Sequence, residues 1–359
     1  MKKFLIAVLP GDGIGPEVIS ATVTALNRIA EKFRIEFQFQ SYDWSAEYYF
    51  RHGHMMPEDG LQRLETVDAI LLGAIGHPRI PDYVTLNGLL LPIRRRFDQF
   101  ANVRPAVLYP GVPSPLRKLH AGDVDMVIVR ENTEGEYSQV GGFVHQDTPQ
   151  EVAIQTSVFT QHGTERVIRF AFELAIERKK KNRVTSITKS NAQAFGMVLW
   201  DQVFARVSAE YPKVETESLL VDAAAMNFVR RPESFDVVVA SNLFGDILSD
   251  LSAAVAGGIG LAPSANLDPL RRFPSMFEPV HGSAPDIAGK GIANPIASFF
   301  SAAMMLKHLE LPEPSRMLNT AARRLLEQGR IRTPDLGGTN TTQDVLNGVL
   351  ELMEEVKTD

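Results

Sequence analysis

The sequence predicts an α/β protein of two lobes, in which helices pack on a largely parallel sheet. Its 359 residues exceed the size at which a single hydrophobic core usually stops growing. Short apolar runs typical of strands alternate with stretches of helical length and period, which is the pattern of helices covering a parallel sheet. A hydrophobic content of 44% with 22% charged residues is that of an ordinary globular protein.

The elements follow this alternation along the chain. Predicted strands occupy residues 4–9, 35–40, 67–74, 125–132, 151–159, 183–188 and 235–241. Predicted helices occupy residues 16–31 and 164–180, and in the last third residues 296–309, 313–328 and 341–357. A glycine-rich stretch at 256–260 and a turn-rich stretch at 278–295 interrupt the pattern. Their composition predicts loops.

Charge, cysteine content and hydropathy exclude several functional classes. The net charge is −6, with 37 basic and 43 acidic residues mixed along the chain, which leaves no broad basic surface for nucleic acid or lipid. The absence of cysteine excludes disulfides, thiolate zinc sites and cysteine nucleophiles. The N-terminal apolar run is too short for a signal peptide, and no later run has the length of a membrane span. We therefore expect a cytoplasmic protein with no nucleic-acid or membrane partner.

The first loop has the sequence LPGDGIGPE and joins a strand to a helix. Gly11, Gly13 and Gly15 invite comparison with the dinucleotide fingerprint, but the spacing of its third glycine is absent. Pro16 and Glu17 instead suit the first turn of a helix, where proline needs no hydrogen bond and a carboxylate suits the dipole. The sequence therefore argues against a Rossmann motif.

Five arginines lie near the predicted strands of the middle of the chain. They are Arg94, Arg95, Arg96 and Arg104 in LPIRRRFDQFANVRP, and Arg130 at the end of the strand DMVIVREN. Any single one is most simply a solvated side chain or part of a surface ion pair. An arginine at the edge of a buried strand must find an anion, however, and its guanidinium fits a carboxylate in bidentate fashion. The more specific interpretation is that these arginines line a binding pocket for an organic acid.

Two acids lie four residues apart in SNLFGDILSD, which has helical character. At about 100° per residue, Asp246 and Asp250 lie within about 40° of each other, beside an apolar stripe at 243, 247 and 251. Two like charges at this spacing repel each other, and a cation would remove the penalty. Oxygen ligands favour a hard cation such as magnesium or manganese. Asp222, after the apolar strand ESLLVD, is the best-placed third carboxylate.

Three further residues have a structural and a chemical interpretation. Tyr137 lies in a glutamate-rich turn and Lys189 follows the strand RVTSIT, where either side chain is more often structural than catalytic. Beside fixed cations or a metal, a partly buried lysine or tyrosine could take part in proton transfer. In the loop HGSAPDIAGKGIANP, Asp286 could accept hydrogen bonds from a ribose diol.

The motifs taken together resemble the beta-decarboxylating dehydrogenase family. They are GDGIGPE, NVRP, VRENTEGEY, TKSNA, VDAAAMNFV, NLFGDILSDLSAAVAGGIG and EPVHGSAPDIAGKGIANP, in order, within a resemblance that covers residues 4–357. The family contains isocitrate, 3-isopropylmalate, homoisocitrate and D-malate/tartrate dehydrogenases. It implies an isocitrate/isopropylmalate dehydrogenase-like fold, with a parallel-sheet first domain that lacks a Rossmann motif (residues 1–99 and 254–359). The resemblance also implies a central dimerisation domain (residues 100–253) and active sites shared between two chains.

The resemblance assigns roles to individual residues. It implies that Arg94, Arg104 and Arg130 hold the substrate carboxylate, and that Asp246 and Asp250 bind Mg²⁺ or Mn²⁺ together with Asp222 of the other chain. It implies that Lys189, also of the other chain, assists removal of the 2-hydroxyl proton, and that Tyr137 returns a proton to the enol. The residues implied to contact NAD are Ile14, Ala74, Asn191, His281, Gly282, Asp286, Ile287 and Asn294. The implied reaction is hydride transfer to NAD followed by release of carbon dioxide.

The variable segments indicate the branch of the family. Asp286 followed by Ile287 resembles the NAD-using members, since a carboxylate would repel a 2′-phosphate. RENTEGEY is shared by isocitrate and D-malate/tartrate enzymes, and GLLLPIRRRFDQFANVRP resembles the D-malate/tartrate branch. That branch usually has histidine and tryptophan where this chain has Tyr83 and Asn87, in a segment that contacts the variable end of the substrate.

We therefore expect a homodimeric, metal-dependent, NAD-linked decarboxylase of a small 2-hydroxy dicarboxylate, with D-malate or a tartrate first. Isopropylmalate or isocitrate is the second choice of substrate. A regulatory subunit that binds carboxylates without turnover is the rival from another class. Such a subunit would be expected to have lost ligands, whereas Tyr137, Lys189, Asp222, Asp246 and Asp250 are all present.

Overall fold

The computed structural model describes residues 2–356, in which strands and helices alternate as the sequence predicts. The strands are β1 (Lys3–Gly11), β2 (Glu36–Ser41), β3 (Ala69–Ala74), β4 (Ala101–Val107), β5 (Asp125–Glu131), β6 (Gly135–Val144), β7 (Val152–Val158), β8 (Arg183–Thr188), β9 (Glu215–Leu220), β10 (Val237–Ala240), β11 (Pro263–Leu267) and β12 (Ser275–Pro279). Each strand predicted from an apolar run is confirmed, with shifts of one or two residues at the ends.

The α-helices cover the remaining regular structure. They are α1 (Gly15–Phe33), α2 (Ala46–His52), α3 (Gly60–Leu64), α4 (Asp82–Thr85), α5 (Leu91–Arg96), α6 (Gln161–Arg178), α7 (Gly196–Ser208), α8 (Val221–Arg230), α9 (Asn242–Val255), α10 (Ile296–His308), α11 (Pro312–Gln328) and α12 (Thr342–Glu355). A π-helix at Leu86–Leu90 and short 3₁₀ turns at Pro232–Ser234, Ile259–Leu261 and Pro334–Leu336 complete the described elements. No helix among residues 2–356 has the length and hydropathy of a membrane span.

The chain forms two compact units. The first contains the residues up to Gln99, Arg104–Val124 and the chain from Ser252 onward. The second contains Phe100–Val103 and Asp125–Leu251. The boundary therefore divides β4, and α9 runs from the second unit into the first.

The first unit contains a sheet buried on both faces. Its strand order is β2-β1-β3-β12-β11, in which β1 pairs in parallel with β2 and β3, β12 pairs in parallel with β3, and β11 is antiparallel to β12. Alternate residues of a strand point to opposite faces, so Ile6 packs in one core and Ala7 in the other. Burial of both faces explains why β1 and β3 contain continuous apolar runs in the sequence.

The second unit contains a parallel sheet and a separate hairpin. The sheet has the order β5-β10-β8-β9, and all of its pairs run parallel. In the hairpin, β6 pairs antiparallel with β7, and the ladder is irregular between Gly135 and Val140. The predicted turn at Tyr137 is therefore wrong, since Tyr137 lies within β6. Most of β6 and β7 is exposed, so these strands lack the alternation of buried and exposed side chains that identifies a strand.

The stretch 104–124 corrects the predicted domain boundaries. The prediction placed it in the central domain, but it belongs to the first unit. The physical reason is packing, because Tyr109 stacks on Phe300 of α10 with 5.1 Å between ring centroids. The carbonyl oxygen of Gly111 also accepts a hydrogen bond from Arg332 Nη2 at 2.6 Å.

The apolar stripe predicted at 243, 247 and 251 of α9 is not the face that packs in the core. Phe244 and Leu248 are buried, whereas Ile247 is 56% exposed. Asp246 lies beside Ile247 on the partly exposed side, while the buried side also carries Ser249 and Ser252. The small polar residues made the buried side difficult to distinguish by hydropathy alone.

Candidate active site

A buried arginine organises the carboxyl end of β5. Arg130 is only 2% exposed, and its Nε and Nη2 atoms donate to Asn242 Oδ1 at 3.0 and 2.7 Å. Its Nη1 atom forms an ion pair with Asp246. Gly245 permits this approach of α9, since a Cβ there would lie 2.6 Å from Arg130 Cβ. The predicted substrate arginine and the predicted metal ligand Asp246 are thus neighbours.

Tyr137 joins the same group of side chains. Its hydroxyl donates to Asp246 Oδ2 at 3.0 Å, and the Arg130 guanidinium lies 5.3 Å from the centre of its ring. Burial raises the pKa of Tyr137, and the Asp246 carboxylate raises it further. The phenol therefore keeps its proton at neutral pH, which is the state needed to donate one.

Asp250 lies one turn beyond Asp246 on α9 and is exposed. No group of three carboxylate, histidine or cysteine side chains suited to a metal occurs among the described residues of this single chain. Asp222 lies in the first turn of α8, where its Oδ1 atom accepts a hydrogen bond from Lys189 Nζ at 2.7 Å. This hydrogen bond lowers the pKa of Asp222. The two residues predicted to act in the other chain's site therefore form a pair of their own.

The predicted substrate arginines of the first unit are also buried. Arg94, on α5, is 3% exposed and donates from Nη2 to Glu278 Oε1 at 2.9 Å. Glu278 also accepts from Asn266 Nδ2 at 2.8 Å, and its side chain is nearly buried. Arg104 is 8% exposed on β4. Solvated arginines are thereby excluded at both positions, and Arg94 Nε is a buried donor without a protein acceptor.

The turn after β1 and the loop 281–294 are held together in the first unit. Ile14 N donates to the carbonyl oxygen of Ser283 at 2.8 Å. Gly13 has φ of +58°, and a Cβ there would lie 1.9 Å from that same oxygen. Ile14 and Ile287 border one apolar cluster with Val18 and Ala293. Glycine at position 13 therefore serves close backbone approach rather than the dinucleotide fingerprint.

The other residues predicted to contact NAD have different environments. His281 is buried, its Nε2 atom has no protein partner, and burial lowers its pKa, so the imidazole is neutral. Asn294 Nδ2 donates to Asp335 Oδ2 at 3.0 Å. Ala74 is buried at the end of β3, whereas Gly282, Asp286 and Asn191 are exposed. The unpartnered buried nitrogen of His281, together with the exposed Gly282 and Asp286 of the same loop, fits a nucleotide with hydrogen-bonding sugar and base.

The chain is similar in sequence to a known protein family. A family model described as isocitrate/isopropylmalate dehydrogenase matches residues 5–349. The chain belongs to this family. Membership confirms the predicted resemblance and the predicted α/β fold, and it identifies the chain as a dehydrogenase.

Two named relatives and one solved structure are similar to this chain over almost its whole length. It is 51% identical over 353 residues to a probable tartrate dehydrogenase/decarboxylase of Agrobacterium vitis, with 98% of each chain covered. It is 48% identical over 360 residues to the decarboxylating D-malate dehydrogenase of Escherichia coli (strain K12), covering 98% and 99% of the two chains. Its fold matches the crystal structure of isocitrate dehydrogenase from Methylococcus capsulatus with a TM-score of 0.88 and 35% identity, covering 98% and 99%.

The segment 83–90 contains the two departures from the D-malate/tartrate pattern. Tyr83 is 68% exposed on α4, and Asn87 lies in the π-helix that follows. A Cβ at Gly88 would lie 2.7 Å from Met55 Cγ, so the π-helix packs closely on the Met55 side chain. Single π turns occur frequently at functional sites, and sequence periodicity does not reveal them.

Sequence reasoning overlooked Asp12, between the first two glycines of the first loop. Its Oδ1 atom accepts from Ala46 N at 2.7 Å and its Oδ2 atom from Gly76 N at 2.9 Å. Burial raises the pKa of this carboxyl, and the two backbone donors lower it. Asp12 therefore ties the turn that carries Ile14 to the start of α2 and to the segment after Ala74. The signal available in the sequence is a carboxylate in an otherwise apolar and glycine-rich turn.

We predict that the substitution Asp12→Ala weakens NAD binding and lowers the stability of the first unit. Two backbone donors lose a charged acceptor, which costs roughly 1–3 kcal/mol when the donors stay buried. Calorimetric titration with NAD and thermal unfolding measure the two effects. Asp12→Asn, which keeps one acceptor, should fall between the wild type and Asp12→Ala. An unchanged NAD dissociation constant in Asp12→Ala would contradict this role.

Proposed function

We propose that this protein catalyses the NAD- and divalent-metal-dependent oxidative decarboxylation of D-malate or a tartrate. The names of the relatives at about 50% identity support this substrate class. The observation that carries the proposal is the group formed by Arg130, Tyr137 and Asp246, which places an anion-binding cation, a protonated phenol and a carboxylate in direct contact. The absence of cysteine fits a reducing compartment, and we expect the enzyme in the cytoplasm.

The residues present fit a divalent cation. Asp246, Asp250 and, from a second copy of the chain, Asp222 would supply oxygen ligands only, which suits Mg²⁺ or Mn²⁺. Asp246 accepts from a guanidinium and a phenol, and a substrate carboxylate at Arg130 would release it to the cation. When bound, such a cation supplies electrostatic stabilisation of negative charge on the substrate oxygens, and NAD supplies a hydride acceptor.

The chain's own residues perform the remaining steps. The buried Arg130, together with Arg94 and Arg104, would bind the substrate carboxylates and orient C2 and C3. Lys189 of a second copy, as the neutral amine, would accept the proton of the 2-hydroxyl as C2 is oxidised and so become an ammonium, with its Nζ atom positioned by Asp222. Tyr137 would protonate C3 after carbon dioxide leaves, because the phenol is kept protonated by burial and by Asp246.

We further propose that the active enzyme is a homodimer formed through the second unit. The hairpin of β6 and β7 exposes large apolar side chains, namely Val140, Phe143, Val144, Val152 and Ile154. In the same unit α8 exposes Met226 and α9 exposes Ile247. Exposed apolar surface of this kind marks an interface. A second copy is the occupant that also brings Lys189 and Asp222 to the Asp246 carboxylate.

The alternatives differ in the observations that favour them. An isocitrate substrate is favoured by the solved structure named above, but that protein is 35% identical, against about 50% for the malate and tartrate relatives. Isopropylmalate remains a substrate to compare, since the family model includes isopropylmalate dehydrogenases. A regulatory subunit without turnover would not be expected to retain the proton-transfer residues beside all three carboxylates.

We predict that the highest kcat/KM is obtained with D-malate or a tartrate, with NAD and in the presence of Mn²⁺. The measurement is a steady-state panel of D-malate, meso- and L-tartrate, 3-isopropylmalate and isocitrate, each with NAD and NADP, with and without metal. Removal of the cation by a chelator should abolish turnover, and Mn²⁺ should restore it. A higher kcat/KM with isopropylmalate or isocitrate would overturn the substrate assignment, and no turnover with any acid would favour the regulatory subunit.

We predict that Phe143→Asp separates the dimer and abolishes turnover. Phe143 is 61% exposed on β6 and touches none of the proposed catalytic side chains, so loss of activity would report loss of the second copy. Ile176→Asp on α6 is the matched control, since Ile176 is 46% exposed but lies outside the hairpin. Analytical ultracentrifugation and the malate assay measure both variants. An active, monomeric Phe143→Asp enzyme would rule out a shared site.

We predict that Asp286→Lys weakens NAD use and improves the relative use of NADP. The exposed carboxylate suits the two hydroxyls of a ribose and repels a phosphate in their place. Asp286→Asn removes the charge but keeps an acceptor, so its preference should lie between those of the wild type and Asp286→Lys. Steady-state kinetics with NAD and with NADP measure this preference. Unchanged NAD kinetics in Asp286→Lys would show that Asp286 does not contact the ribose.

A further inference from the structure

Glu136 connects the hairpin to the first turn of α9. Its Oε1 atom accepts from Ser241 Oγ at 2.8 Å, and its Oε2 atom accepts from Leu243 N at 3.1 Å. Serine before a helix usually accepts such a backbone N–H through its own hydroxyl. Here the Ser241 hydroxyl donates to Glu136, and the glutamate caps the helix instead. A carboxylate at this end also suits the helix dipole.

The next residue forms a second connection to the same helix. Tyr137 reaches Asp246 Oδ2, one turn after the residues that Glu136 contacts. Consecutive residues of a regular strand point to opposite faces, so they would not both reach one helix. The β6–β7 ladder is irregular between Gly135 and Val140, and this irregularity permits both contacts. Two adjacent residues of β6 therefore hold two successive turns of α9.

We propose that Glu136 is a positioning residue that sets the distance between the Tyr137 hydroxyl and the Asp246 carboxylate. Without the cap, Arg130 would still hold Asn242 and Asp246 near β5. Asn242 Nδ2 would still donate to the carbonyl oxygen of Glu134 at 3.1 Å, but the first turn of α9 would lose its side-chain bonds from β6. The helix could then shift relative to β6, and the carboxylates of α9 would lose their placement for a cation. The inference rests on the proposed role of Asp246 and Asp250 as metal ligands.

Glu134 provides a matched control. Its carboxylate accepts from Thr160 N at 2.9 Å and from Thr160 Oγ1 at 2.8 Å, so it also receives one backbone donor and one hydroxyl donor at a helix start. The helix in that case is α6, which carries none of the proposed site residues. Glu134→Ala and Glu136→Ala therefore remove comparable side-chain bonds near the start of β6, and only the Glu136 side chain is bonded to α9.

The experiment measures the Mn²⁺ dissociation constant of the full-length protein by electron paramagnetic resonance, without substrate or NAD. We expect Glu136→Ala to weaken Mn²⁺ binding by roughly ten- to a hundredfold, as loss of an outer partner of a metal ligand does elsewhere. In the malate assay kcat should fall, while the KM for NAD stays unchanged. Glu134→Ala should show a similar loss of thermal stability with the Mn²⁺ affinity of the wild type.

Conservative variants separate positioning from general stability. Glu136→Gln can still accept from Leu243 N and can donate its amide to Ser241 Oγ, so we expect it to restore most of the Mn²⁺ affinity. Ser241→Ala removes one of the two bonds and serves where Glu136→Ala fails to fold; we expect an intermediate loss. Wild-type Mn²⁺ binding in Glu136→Ala or Ser241→Ala, or an equal loss in Glu134→Ala, would overturn the inference.

Asp250→Asn distinguishes failure of the inference from failure of the proposed site. If Asp250→Asn weakens Mn²⁺ binding and Glu136→Ala does not, the metal site stands and Glu136 has no positioning role. If Asp250→Asn also binds Mn²⁺ as the wild type does, the proposed ligands are wrong and the inference fails with them.

Discussion

The buried guanidinium of Arg130 requires anionic and polar partners, and this requirement shapes the second unit. Arg130 comes at the end of a parallel strand and is excluded from water, where an unpaired charge is very costly. Asn242 and Asp246, one turn apart on α9, supply the acceptors. Because both belong to one helix, satisfying the arginine also fixes where α9 begins and how close it approaches β5. Glycine at position 245 follows from that approach.

The placement of α9 then gives its two acids different environments. Asp246 faces Arg130 and Tyr137, whereas Asp250, one turn later, is exposed. Ile247, between them, is also exposed. One helix therefore presents an inward carboxylate, an outward carboxylate and an apolar side chain along the same partly exposed side. This arrangement suits a site completed at a surface that another molecule covers.

The sequence predicts best the strands that form continuous apolar runs, and it predicts less well the geometry of exposed or polar segments. The apolar run of β1 predicts a strand because both of its faces are covered, as Ile6 and Ala7 illustrate, whereas β11 and β12 have no such run and were overlooked. Tyr137 was placed in a turn because the hairpin is exposed and lacks alternation. The residues Asp246, Tyr137 and Arg130 were predicted individually, but their direct contacts depend on tertiary geometry. Asp12, Glu136 and Glu278 were overlooked because their partners are distant in sequence or are backbone atoms.

In the proposed reaction, the same contacts would couple the binding of substrate to the binding of the cation. Asp246 cannot serve a divalent cation fully while it neutralises Arg130, and Arg130 cannot be left in its buried position without an anion. A substrate carboxylate would take the place of Asp246 at the guanidinium and release the aspartate to the cation. Each ligand would therefore increase the affinity of the site for the other, since the coupling between two bound ligands is reciprocal. A small 2-hydroxy dicarboxylate would satisfy both demands at once, because one carboxylate would bind Arg130 while the 2-hydroxy acid group would approach the cation held by the aspartates.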